Sequence, residues 1–152
     1  LQATEKVIKV AVQVVMPRDQ NFLLSLLERI DETGRKKPLG HFLDLVRKRA
    51  KLNADVDSLL ERFLVNRNKF VHNLEEVEGW ALESDSGRQA ANEFLSQLFR
   101  DSFEVRTLFQ GLLYSWKVQC ELPTTPGEDA LLEKMSKYES PILRMKWAEP
   151  DA

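Results

Sequence analysis

Arg67, Asn68 and His72 are the residues whose types and spacing could do chemistry in this chain. A guanidinium can hold a phosphate or carboxylate in a planar fork and stabilise charge on its oxygens. An imidazole exchanges a proton near neutral pH, and an amide beside them can orient either. The residues fall in a stretch whose apolar positions are Val56, Leu59, Leu60, Phe63, Leu64, Phe70, Val71 and Leu74, the three-and-four spacing of one helical face. Arg67 lies inside that stripe, with Phe63 and Val71 about 40° to either side at the turn of an α-helix. A charge in an apolar stripe requires a carboxylate, a phosphate or an interface, because burying it unpaired is costly. His72 leans to a flank of the helix, about 140° around from Arg67, so one helix alone focuses the two side chains poorly.

Other chemistries are set aside by composition. The 152 residues suit one domain with a sizeable core, and 43% hydrophobic with 30% charged residues is a soluble, globular balance. A net charge of -2 excludes a histone-like basic protein and leaves room only for a local nucleic-acid patch. One cysteine, Cys120, permits no internal disulfide, and with the two separated histidines, His41 and His72, it offers no structural zinc site. Gly-rich phosphate loops, HExxH and Cys-x-x-Cys are absent from the sequence. Glu75, Glu76 and Glu78 form a dense acidic run of the kind that usually faces solvent. No apolar run has the length to span a bilayer, and no signal-peptide pattern opens the chain, so the expected location is cytoplasmic, with no membrane association. Neither a metal nor a cofactor is expected.

The elements that must position the arginine and histidine read as helices. Residues 3–16 carry Val7, Ile8, Ala11, Val12 and Val15 at helical spacing, although Val10, Val12 and Val14 also alternate as a strand would. Helix is the expectation, since no second strand is available to pair. A helix is expected over about 20–32, after Pro17 and Asp19, and another over about 39–51, after the basic turn Arg35-Lys36-Lys37-Pro38. The latter ends in Arg47, Lys48, Arg49 and Lys51, which suits a helix C-terminus. The motif helix is expected from an Asp55 cap to about Glu76. A loop over 75–88 follows, anchored by Trp80 and Leu82, and then one long helix from Gln89 to about Cys120. Ala91, Leu95, Leu98, Ser102, Val105, Phe109, Leu112 and Trp116 step along it by four and three, as a buried bundle face or a dimer seam would, and Gly111 is its weak point. A short helix over 128–138 and a tail with Ile142, Leu143, Met145 and Trp147 read as a packed C-terminal appendage over 121–152. The whole chain reads as one all-α domain with its core at about 20–120.

Arg67-Asn68 followed by Val71-His72 at the end of an apolar helix resembles the signature of the HEPN superfamily: arginine, commonly then Asn or another polar residue, about four to six positions, then histidine. The Pro38-Leu39-Gly40 helix entry ahead of a basic helix end is similar to bacterial members of that group. The likeness covers the architecture of about 20–120 and, as a motif, only 67–73. It implies an antiparallel bundle of about four to six helices and, in many members, a metal-independent endoribonuclease acting as a homodimer whose two motifs share one cleft. Carried onto this chain, His72 would serve as general acid or base at the 2′-hydroxyl or leaving oxygen. Arg67 would be the phosphate and transition-state ligand, and Asn68 the orienting amide. Lys69, Asn73, Arg35, Lys36 and Lys37 would be weaker RNA contacts. A toxin or phage-defence role would add an antitoxin or effector partner. Some members of the superfamily cleave nothing and serve as docking modules. Leu74 stands where a toxin subgroup has a tyrosine two residues past the histidine, so control through such a tyrosine is not implied here.

A reading without the family is also open. Arg67 could be a structural ion-pair residue, with Glu93, Asp101 or Glu104 as its partner, and His72 a cation at a helix C-terminus. His41 reads as a surface residue near a helix start, and Trp80, Trp116 and Trp147 as packing anchors.

Overall fold

The structure is a computed structural model and describes residues 1–15, 38–49 and 52–119, with 121, 123 and 127 as single positions. Every regular element among them is helical, so the all-α expectation holds. Helix α1 spans Gln2–Val15 and settles the choice for that segment. Thr4, Ile8, Ala11 and Val12, one face at helical spacing, are buried, whereas Val10 is half-buried. Helix α2 spans Leu39–Arg49 directly after Pro38, whose carbonyl accepts the amide of His41 at 3.1 Å.

The motif helix, α3, spans Ala54–His72. Its cap is Asn53, not Asp55: the Asn53 side chain accepts the Val56 amide at 2.8 Å, and Asp55 stands one step inside, in the first turn. The helix also stops at His72, short of the expected Glu76. The Asn73 backbone closes onto the Lys69 carbonyl at 2.9 Å, and Leu74–Glu76 continues as a single 3-10 turn.

The long helix, α4, spans Asp85–Gln119 and so begins four residues before the expected Gln89. Ser84 accepts the Gly87 amide at 3.0 Å and opens it. Gly87 has a steric reason to be glycine, since a Cβ there would sit 1.8 Å from the Ala81 carbonyl oxygen as the loop folds back on the helix. Gly79 in that loop adopts φ 73°, a conformation costly for any other residue. Of the two expected anchors, Trp80 packs edge-on against Phe94 at 6.2 Å, but Leu82 is exposed and Val77 is buried in its stead. Gly111 causes no break and is buried inside α4.

One core joins all four helices. Ile8 and Ala11 of α1, Leu43 and Val46 of α2, Leu60 and Phe63 of α3, and Leu98, Val105, Leu108 and Phe109 of α4 are buried together. The core therefore starts in α1 and not near residue 20. A fully buried Phe63 contributes about 2–3 kcal/mol by transfer alone. Directional ties set the helices against one another. Thr4 and Ser102 share a 2.8 Å hydroxyl contact between α1 and α4. Arg47 binds Asp57 at 2.6 Å and Glu61 at 2.7 Å, which joins α2 to α3 and gives this member of the basic helix end a structural task. Those two carboxylates, Asp57 first, raise the Arg47 pKa further above its already high ordinary value. Helices α3 and α4 run antiparallel, because Arg62 meets Asp101 while Phe70 meets Leu95. The expected helices over 20–32 and 128–138, the basic turn Arg35-Lys36-Lys37 and the tail lie outside the described residues. No helix among those described is long and apolar enough to cross a membrane.

Candidate functional site at the end of the motif helix

The stripe on α3 is buried only in its first half. Val56, Leu59, Leu60 and Phe63 are in the core, whereas Phe70 and Val71 are exposed. The helix runs out beyond the core, and its last turns carry Arg67, Asn68, Lys69 and His72.

Arg67 has a partner within its own chain. Its Nε donates to Glu5 Oε1 at 2.7 Å, and both side chains are about 18% exposed. Nη1 donates to Asn68 Oδ1 at 3.0 Å. The partner is none of Glu93, Asp101 and Glu104, the acids expected from sequence. Asp101 is taken by Arg62, which lies five residues before Arg67 on the same helix. Arg62 binds it in a fork, Nε to Oδ2 at 2.9 Å and Nη2 to Oδ1 at 2.7 Å, and Gln97 adds a third bond at 2.8 Å. The hydrogen bond to Asp101 raises the Arg62 pKa from its ordinary value, with burial opposing. No local pattern could have pointed to Glu5, because it reaches Arg67 only when α1 docks.

Asn68 and His72 are exposed, and Lys69 is half-buried. Arg67 and Asn68 are thus joined directly. His72 stands about a turn and a half further along, and no hydrogen bond among the described residues links it to either. Asn73 is committed locally, its amide donating to Glu76 Oε1 at 2.8 Å. His41 packs edge-on against Phe42 at 5.7 Å. No group of three or more potential metal ligands occurs among the described residues.

Beside the motif lies an open cleft of about 590 Å³, lined by Leu1, Phe70, Leu95, Phe99 and Arg100 among others. Neither Glu5 nor Arg67 lines it, although Leu1 and Phe70, which do, are each about one helical turn from a member of that pair. Of the apolar residues of α4 that line it, Leu95 and Leu98 belong to the sequence stripe and Phe99 does not. Phe99 and Phe103 lie off the regular four-and-three series, which runs along the buried side of the helix, and Leu95, a member of that series, is 39% exposed. No family model, no curated protein and no solved structure matches the chain.

Proposed function

We propose that the end of α3 is an RNA-cleaving edge of the HEPN type, a metal-independent endoribonuclease that works as a homodimer. The observation that carries this reading is the contrast in how two arginines of one helix are held. Arg62 spends both faces of its fork on a buried carboxylate, whereas Arg67 meets Glu5 through Nε alone and turns Nη1 to an exposed asparagine. Glu5 and Asn68 hold the Arg67 guanidinium in place about one helical turn before Phe70, which lines the cleft, with the exposed His72 on the same helix end. In this role His72 moves the proton at the 2′-hydroxyl or leaving oxygen, and Arg67 binds the scissile phosphate. Asn68 orients the arginine, and Lys69 adds charge for the RNA backbone. The pair of motifs from two copies supplies the convergence that one helix lacks. Toxin or defence activity, with an antitoxin partner, is the biological setting that fits such an enzyme.

The test is incubation of the purified protein with single-stranded RNA in excess EDTA beside His72→Ala and Arg67→Ala. Cleavage by the parent that falls at least a hundredfold in His72→Ala is the expected result. Equal cleavage by all three, or none by any across pH and RNA sequence, would sink it.

A second reading has its own observation. Because Arg67 is neutralised by Glu5 within one chain, the arginine needs neither RNA nor a partner subunit to occupy its place. This favours a HEPN-like helical module that binds protein and cleaves nothing. Such a module would show no RNA cleavage in the assay above while still assembling.

A further inference from the structure

We infer that the cleft between the end of α3 and α4 is a subsite for an unpaired base of single-stranded RNA, with Phe99 as the stacking platform and Arg100 and Arg106 as contacts to the RNA backbone. The subsite rests on the nuclease reading for its substrate, and it adds the place where a nucleotide beside the motif is held.

The cleft offers open aromatic faces. Phe99 is 73% exposed and Phe70, on the α3 side, 39%. Neither ring is paired with another aromatic ring among the described residues. A ring left open to water beside a cleft suits a nucleic-acid base, because every base has a π-face to lay on it. Ser96 adds a hydroxyl to the same lining. The outward side of α4 continues in the same manner past the cleft. Leu95, Phe99, Phe103 and Arg106 fall within about 80° of one another around the helix, and the Arg106 guanidinium lies over the Phe103 ring, 5.6 Å from its centroid. Aromatic faces interleaved with arginine along one side are the make-up of a groove for a single strand, with bases on the rings and phosphates on the cations.

Charge selects an anionic occupant. Arg100 lines the cleft, and no carboxylate does among the described residues. The acids of this part of α4 are turned away or already taken. Glu93 and Glu104 lie about 160° and 180° around the helix from Leu95, and Asp101 is held by Arg62. Arg47, Arg62, Arg67 and Arg88 each hold a carboxylate. Arg100 and Arg106 differ: among the described residues, Arg100 donates to the neutral Gln97 at 2.7 Å and Arg106 faces a ring. Their positive charge is therefore left for a partner from outside, and a phosphate backbone supplies the complement. The subsite lies on the arginine side of the motif. Phe70 stands about 60° around α3 from Arg67 but about 160° from His72. The base in the cleft thus belongs to a nucleotide beside the phosphate that Arg67 binds, and the subsite acts on binding and not on the proton transfer.

The experiment measures fluorescence anisotropy of a labelled single-stranded oligoribonucleotide of about ten nucleotides, with the full chain carrying His72→Ala so that the RNA stays intact. Adding Phe99→Ala should weaken binding about tenfold or more, and Phe99→Trp should keep it. Circular dichroism should show unchanged helicity in both, as suits so exposed a side chain. Arg100→Gln should weaken binding several-fold and reduce the slope of log affinity against log salt by about 0.7. Blunt duplex RNA of the same sequence, whose bases are already stacked, should compete about tenfold less well. With His72 in place, Phe99→Ala should raise KM and leave kcat unchanged. No binding of single-stranded RNA, binding that ignores Phe99→Ala, or duplex that competes as well as single strand would overturn the subsite, even where the parent cleaves RNA. Binding that depends on Phe99 in a protein whose parent cleaves nothing would uphold the subsite and remove the nuclease reading instead. An oligomer of the parent dissolved by Phe99→Ala, with RNA affinity unmoved, would assign the cleft to protein and overturn the proposal.

Discussion

The two halves of α3 make different use of similar residues. In the first half Phe63 and Arg62 serve the fold: the phenylalanine is buried, and the arginine closes on the carboxylate of Asp101, whose side chain is 2% exposed. In the second half Phe70 is exposed at the cleft, and Arg67 is held by Glu5 between two partly exposed side chains. The helix is continuous and nothing in the local backbone separates the halves. The difference comes from what lies opposite, the core face of α4 in one case and the cleft in the other. A stripe of apolar positions therefore shows where a helix is able to pack, and the neighbouring helices decide how far along it packing extends.

Five substitutions test that division, beginning with the largest effect. Phe63→Ala should lower unfolding free energy by about 3–5 kcal/mol in urea titration, as a buried aromatic leaves a cavity. Phe70→Ala should stay within about 1 kcal/mol of the parent, and equal losses for the two would abolish the contrast. Arg62→Leu strands the Asp101 carboxylate and should cost about 2–3 kcal/mol, read as a fall in thermal midpoint of roughly 4–12 °C for a chain of this size. Glu5→Gln keeps the shape of the Arg67 contact but removes its negative charge, at about 1 kcal/mol of stability. On the nuclease reading it should also tighten RNA binding several-fold at low salt, measured by fluorescence anisotropy, since the arginine no longer has a competing anion. Unchanged RNA affinity would move Arg67 into the company of Arg62. His72→Ala should alter stability by less than about 0.5 kcal/mol while removing cleavage, and a large loss of stability would make the histidine a structural residue.

The helical class was legible because periodicity is a local signal: α1, α2 and α4 follow from apolar spacing and from where Pro38 and the loop residues stand. Helix ends were less legible, since neighbouring side chains compete to cap them. Asn53 displaced Asp55, and Ser84 set the start of α4 ahead of Gln89. The anomaly of Arg67 was visible as an arginine among leucines, and the need for an anionic partner followed from physics. The partner itself was not visible, because Glu5 is far away in sequence and three acids nearer the motif looked equally suitable.

The contact between Thr4 and Ser102 has a consequence for the chain as it is made. The partner of Thr4 stands on α4, so this contact waits while about a hundred residues are added, although α1 can pack earlier against α2. At about 5–20 residues per second that interval lasts on the order of ten seconds, long on the scale of helix formation and chain collapse. Helices α2 and α3 can join through Arg47 during that time, whereas the Thr4–Ser102 contact closes only once α4 emerges. A truncated product that ended before α4 would carry the whole motif and yet lack the wall of the cleft beside it, which separates possession of the motif from possession of the site.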